Sequence, residues 1–417
     1  MRFYSLPALA LCVALTSTAY VQIATAQTVE IRTLDDALRI AEANSPRIRA
    51  ADARREGATG DRMQAGAWPN PELFVDAENF AGSKEYRGTN NIELTGGLSQ
   101  RIEIGGKRQA RIDAAEAGLT LAAHDRNADQ LALRDEVAKA YVGALYAARL
   151  VALEDDRLKN AQSLAGAIRE RVQNGRESPV QSRKTDITLA AAQVASQKAQ
   201  RELQGNRAAL TAILGVSNVE LVVNSGWFDR IGDVPDVSPD EAALAENPDF
   251  ARLSATIAQA RAGVDRERAA GVPDPTISAG MRRYREDGSN ALVVGLTIPI
   301  PVFDQNSGNI LRARQDLNRA EAEADAMRLT LLGNLARARQ TLLAAHSEAD
   351  AMGKTIVPAA DEAAAAAREG YSAGKFGFLD LLDAQRTQFD VKAQHATALR
   401  DYHLARIELM RLVGRTY

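Results

Sequence analysis

Residues 133–151 read LRDEVAKAYVGALYAARLV, and residues 331–349 read LLGNLARARQTLLAAHSEA. In the first stretch Leu133, Val137, Ala140, Ala144, Ala147 and Val151 are spaced 4, 3, 4, 3 and 4 residues apart. Leu331, Leu335, Ala338, Leu342, Ala345 and Ala349 repeat those steps, each 198 positions later. Steps of this kind average about 3.5 residues, which keeps an apolar seam against a neighbouring helix over many turns. The duplication extends beyond the seam. Gly97 maps to Gly295 at the same offset, whereas Gly175 and Gly374, and Gly215 and Gly414, pair at 199. Such self-similarity fixes the architecture before any other signal. Each copy is expected to run a helix, two short strands, a very long helix and a returning helix.

The punctuation supports that order. The first copy, 27–215, opens on a helix over 32–67 with a break at Pro46 and a stop at Trp68-Pro69-Asn70-Pro71. The second, 241–417, has its break at Asn247-Pro248 and its stop at Val272-Pro273-Asp274-Pro275. Strands are expected at 72–80 and 91–104, and again at 276–284 and 291–300. In 91–104, Ile92, Leu94, Leu98, Ile102 and Ile104 share one face, opposite Glu93, Thr95, Ser99, Arg101 and Glu103. Leu292, Val294, Leu296, Ile298 and Ile300 share a face of 291–300, and Leu73 and Val75 lie opposite Asp76 and Glu78. The first long helix runs to about Val172, turns at Asn174-Gly175 and returns to about Leu214. The second runs from about Ser307 to Tyr371, bent at Gly353 and Pro358, and returns through 378–413. Between the copies, 216–240 has no clear period and reads as a linker packed on the outside of the helices.

Alternating faces suit either a half-buried sheet or a wall with lipid on one side and water on the other. The start of the chain points to export and leaves both open. Residues 1–26, with Arg2, an apolar run around Leu6–Leu15 and Ala24 and Ala26, read as an export signal cleaved before Gln27. Cys12 raises a lipidated alternative, but Leu11 stands before it where a small residue is expected. Removing the signal takes away the single cysteine and Arg2, so the 51 basic residues become 50 against 54 acidic ones. Thiol chemistry and nucleic-acid binding are thereby disfavoured. No later stretch is long and apolar enough for a spanning helix, so any membrane crossing falls to strands. Four strands cannot close a barrel, since single-chain barrels start at about eight. Open edges in lipid would leave backbone groups unpaired at several kcal/mol each, so a membrane role demands that several chains share one barrel.

The turn Tyr371-Ser-Ala-Gly374, followed by Leu379-Asp380-Leu381-Leu382-Asp383-Ala384-Gln385-Arg386, adds a family signature to these tandem halves. Across 30–415 the chain resembles the outer-membrane efflux proteins of the TolC family. Ile104-Gly105-Gly106-Lys107-Arg108-x-x-Arg111 and Ile298-Pro299-Ile300-Pro301-Val302-Phe303-Asp304-Gln305-Asn306-x-Gly308-Asn309 are similar to its heavy-metal, CzcC-like branch. The resemblance implies a mainly α fold, a tandem-repeat coiled-coil tunnel with four strands per chain in a shared trimeric β-barrel. It implies a homotrimer in the outer membrane of a Gram-negative bacterium, docked on a periplasmic adaptor and an inner-membrane pump of the RND class. The chain would be a passive exit duct for heavy-metal cations, with no cofactor and no catalysis. Organic cargo or type I secretion through the same duct is the alternative, and a soluble periplasmic adaptor the reading from another class.

The resemblance also places candidate residues. Asp380 and Asp383 match the family's constricting rings at the periplasmic mouth, and six carboxylates from three copies would attract cations there. Acids near a helix start also answer its dipole, which is the alternative role. Tyr371 is expected to latch the tip onto a neighbouring coil, or simply to pack as a cap. Gly175 and Gly374 make the tip turns and the close approach to the adaptor, or only the turns. Phe376 replaces a basic residue of some relatives and offers an apolar adaptor contact, while Gln181 stands where some carry an acid. Lys107, Arg108 and Arg111 oppose the dipole of the helix they open, so they are expected to pair with Glu103, with acids of a neighbouring chain or with lipid phosphate. Pro299 and Pro301 remove ladder donors and bend the strand where barrel becomes tunnel. His124, His346, His395 and His403 have no ligand spacing and read as surface or seam residues, so no metal site is expected.

Overall fold

A computed structural model describes residues 28–222, 225–415 and 417. The expected export signal, with Cys12, lies outside the described residues. The order of elements begins with β1 (Thr28–Ile31), α1 (Leu34–Asn44), α2 (Pro46–Ala65), β2 (Glu72–Glu78) and β3 (Glu93–Arg101). It continues with α3 (Lys107–Gln173), α4 (Pro179–Leu214), β4 (Asn218–Leu221), α5 (Ser225–Phe228) and α6 (Glu241–Leu244). The second copy is α7 (Pro248–Ala270), β5 (Thr276–Tyr284), β6 (Asn290–Thr297), α8 (Ser307–Ala351), a π-turn at Met352–Ile356, α9 (Val357–Ser372) and α10 (Phe378–Leu412).

Local chemistry explains the boundaries. The Thr33 hydroxyl accepts the Asp36 N–H while the Asp36 carboxylate accepts the Thr33 N–H, a reciprocal cap that starts α1. Ser45-Pro46 and Asn247-Pro248 each place a capping side chain before a proline in the first turn, where its missing N–H is no loss. The 67 residues of α3 span about 100 Å at about 1.5 Å per residue. Around it the helices form a wall: α2 and α7 pack on its upper part with α8 beyond α7, while α4 and α10 flank its lower part. The paired stretches form the seam. All six second-copy positions are buried, as are Leu133, Val137, Ala144 and Ala147, with Ala140 and Val151 partly covered.

The shift of offset from 198 to 199 has a structural cause. It falls between Ala349 and Gly374, and the π-turn Met352–Ile356 lies in that interval. A π-turn fits one extra residue into a helix without ending it. That turn takes in Gly353, one of the two positions at which a bend was expected, and His395 packs against its bare Cα.

Two expectations need correction. The strands expected at 72–80, 91–104 and 291–300 are shorter. Asn79 and Ala81 take left-handed φ of 59° and 57°, which ends β2. Pairing beyond Arg101 stops at Pro275, and Pro299 follows the end of β6, neither able to donate to a ladder. Segment 216–240 is also more ordered than a periodless linker. Its β4 pairs in parallel with β1, Val29 opposite Val219. Phe228 is buried, and the Tyr402 hydroxyl both donates to the Gly232 carbonyl and accepts the Gly232 N–H, each at 3.0 Å. This belt clasps the middle of the helices. At its centre Trp227 stacks on His403 at 4.6 Å, and His403 Nε2 bonds the Phe228 carbonyl at 2.8 Å.

Candidate functional site

The sheet has the order β2-β3-β5-β6, antiparallel throughout. Its register aligns Leu73, Leu98, Ala279 and Val294 across all four strands, and Val75, Gly96, Met281 and Leu292 beside them. These apolar side chains are exposed: Leu73 and Leu292 keep 76% of their surface. The opposite face carries Asp76, Thr95 and Arg282 in one row and Glu78, Glu93 and Tyr284 in the next. Arg282 ties that face together, donating to Glu78 at 2.7 Å, Glu93 at 3.0 Å and Thr95 at 2.9 Å. Gly97 and Gly280 face each other so closely that a Cβ on Gly97 would lie 2.6 Å from the Gly280 Cα and 2.8 Å from the Phe74 ring. Both outer strands, β2 and β6, have an edge left unpaired among the described residues.

Below the sheet, the three expected cations are all engaged within the chain. Lys107 pairs with Asp274 at 2.7 Å, both side chains about 15% exposed, and Asp274 also accepts the Ile104 N–H at 3.2 Å. Arg111 pairs with Glu103 through both guanidinium nitrogens and donates to the Ala67 carbonyl at 3.2 Å. Arg108 donates to the Gly66 carbonyl at 2.8 Å and lies 5.0 Å over the Trp68 ring. Each cation thus links α3 to the end of α2, to β3 or to the entry of β5. Pro299 and Pro301 lie in the irregular stretch between β6 and α8.

At the far end the two turns are built alike. Gly175 and Gly374 take φ of 68° and 71°. Arg176 N–H bonds the Arg171 carbonyl at 2.8 Å and Lys375 N–H the Gly370 carbonyl at 2.7 Å, closing each helix in the same way. Between the turns, the Tyr371 hydroxyl donates to Glu177 at 2.9 Å and the Arg171 guanidinium sits 5.0 Å over the Tyr371 ring. Burial first, then the Glu177 carboxylate, pushes the Tyr371 hydroxyl above its ordinary pKa. Phe376 lies across Gly370, and a side chain there would collide with its ring. Asp380 accepts the Gly377 N–H at 2.9 Å and so caps α10, while Asp383 stands exposed one turn further on.

The sequence pattern of outer membrane efflux proteins matches residues 37–216 and 241–415, both copies of the repeat. The chain belongs to that family. The cobalt-zinc-cadmium resistance protein CzcC of Cupriavidus metallidurans is 32% identical over 383 residues, 92% of this chain and 90% of that one. The nickel and cobalt resistance protein CnrC of the same organism is 33% identical over 67% of this chain and 66% of its own. In fold, the outer membrane protein VceC of Vibrio cholerae superposes with a TM-score of 0.74 at 20% identity, over 92% of this chain and 96% of that chain.

Within this efflux protein, residues that sequence reasoning passed over turn out to hold the candidates in place. Glu177 receives Tyr371, Asp274 receives Lys107, and Arg282 organises the polar face of the sheet. Asp274 stood in a stretch read only as a helix stop, so its pairing with Lys107 was not expected. Glu177 stands two residues after Gly175, in the first of the two tip turns that the duplication pairs, and that pairing was the signal for setting it near Tyr371. Gln181 has a buried side-chain oxygen without a hydrogen-bond partner among the described residues.

Proposed function

We propose that three copies of this outer membrane efflux protein form one exit duct, and that the duct carries heavy-metal cations. The observation that carries the reading is the sheet: one exposed apolar face, one polar face and two open edges. Such edges are intolerable in hydrocarbon unless other strands cover them. Three four-stranded sheets joined edge to edge make a closed wall of twelve strands. Its apolar face meets lipid, and Arg282 with its acids faces water. Below it, the long helices of three chains enclose a tunnel through the periplasm, reached after export on the signal 1–26.

In this reading the energising work falls to an inner-membrane pump joined through a periplasmic adaptor at the helix tips. Asp380 and Asp383 line the tunnel mouth, and Tyr371 with Glu177 holds the two tips of one chain together. Gly175, Gly374 and Phe376 present the surface that the adaptor meets. Metal cargo rests on the likeness to the cobalt-zinc-cadmium resistance protein over nearly the whole chain. Deleting the gene and plating on cobalt, zinc, cadmium, copper and silver salts beside a panel of drugs tests the cargo. Sensitivity to metals alone supports the proposal, and sensitivity to drugs alone replaces it with organic cargo.

A further inference from the structure

The apolar face of β6 does not stop where the strand stops. Leu292, Val294 and Leu296 are followed at the same two-residue step by Ile298, Ile300 and Val302, which are 55%, 80% and 64% exposed, and Phe303 is fully exposed. Ile104, which follows β3 at the same level, keeps 43% of its surface, and Trp68, before β2, keeps 64%. Apolar groups so open to solvent, gathered just beyond the same end of the sheet, mark a contact surface.

Length gives the surface a reason. The 8 residues of β6 extend about 27 Å at about 3.4 Å each. At the usual tilt of about 40° they rise about 21 Å, less than the apolar band of about 25 Å that outer-membrane barrels present. Ile298 and Ile300 make up the difference. The backbone there is also suited to leaving water: Pro299 and Pro301 have no N–H, and the Val302 N–H bonds the Ile300 carbonyl at 2.9 Å. Beneath lie Lys107 and Arg108, with Arg108 against the Trp68 ring, the mixture of aromatic and cationic groups found at a headgroup boundary.

We infer that Ile298–Phe303, with Ile104 and Trp68, is a collar that inserts into the periplasmic leaflet of the outer membrane, its partner being glycerophospholipid at the boundary between headgroups and acyl chains. The inference rests on the barrel reading above and adds where the membrane ends. Continuity with the lipid-facing side chains of β6 favours lipid over a second copy of the chain, which would approach along the strand edge instead.

The mature chain has no cysteine, so single cysteines can be placed at will. Phe303→Cys, Ile300→Cys, Val294→Cys and Met63→Cys variants, each running as the same assembly as the parent, are labelled with an environment-sensitive fluorophore. They are reconstituted in phospholipid vesicles with a nitroxide quencher either near the headgroup or near the chain end. The labels at 303 and 300 are expected to lose emission most to the headgroup-side quencher, that at 294 to both, and that at 63 to neither. A label at 303 and 300 that is bright but unquenched means cover by a neighbouring subunit, and one that is dim and unquenched means water. Either result overturns the collar while quenching at 294 leaves the barrel standing. Absence of quenching at 294 as well brings down the barrel reading itself.

Discussion

Phe376 fills the space that a side chain at Gly370 would need, so glycine there serves contact rather than freedom of the backbone. In an ordinary helix, Gly→Ala stabilises by about 1 kcal/mol. Here Gly370→Ala is expected to destabilise the tip by a similar amount, because the ring of Phe376 must leave. Adding Phe376→Ala should restore the normal gain, which a double-mutant cycle of urea midpoints measures. His403 offers a second test at this scale. Burial in the belt lowers its pKa from the usual 6.5 to about 4, so the folded protein keeps it neutral. Between those pH values the unfolded chain binds the proton and the folded chain does not. The stability is therefore complete above about pH 6.5 and is lost as pH falls towards 4, by up to about 1.4 kcal/mol per unit. Urea unfolding from pH 7 to 4.5 should show that decline, and a His403→Gln variant should show a shallower one. The sequence announced His403 only as a surface or seam residue, because the groups that bury it, Trp227 and Phe228, come from a segment without periodicity.

Elements were more legible than residues. The steps of three and four that run through Leu133 and Leu331 define faces that only a long packed helix can use, and those faces are buried. The strand expected at 276–284 coincides with β5 to the residue, starting directly after Pro275. Where strands fell short, left-handed residues or prolines intervened, and the pattern of apolar side chains carries no record of backbone hydrogen bonds. The pairing of β1 with β4 was invisible for a related reason: each has 4 residues, too few for alternation to register. The π-turn was visible only as one residue gained between the copies. That origin makes a prediction. Deleting Thr355 should convert 352–356 to plain α-helix while leaving the faces of α9 and α10 in register, so assembly and efflux survive. Deleting Leu343 in α8 should instead rotate everything beyond it by about 100° and abolish both. Metal-resistance complementation of the deletion strain separates the two outcomes, and equal loss in both variants would count against the π-turn as an inserted residue.

The whole molecule is incomplete as one chain. Among the described residues its sheet has two unpaired edges and an exposed apolar face. That incompleteness was legible in the sequence once four strands were counted against the number a barrel needs. At the opposite end, Asp383 stands exposed whereas Asp380 caps α10. Asp383→Ala is therefore expected to reduce the preference for cations in planar bilayers without loosening the tip. For Asp380 the Asn variant is the sounder probe, because its side-chain oxygen still accepts the Gly377 N–H. Unchanged selectivity in both would remove these residues from the mouth. The central claim, however, concerns number: the pore wall exists only when chains combine. Native mass spectrometry of the mature protein extracted from outer membranes in mild detergent measures that number directly. The account predicts a species of three chains, resistant to dilution, and a stable single chain would contradict it.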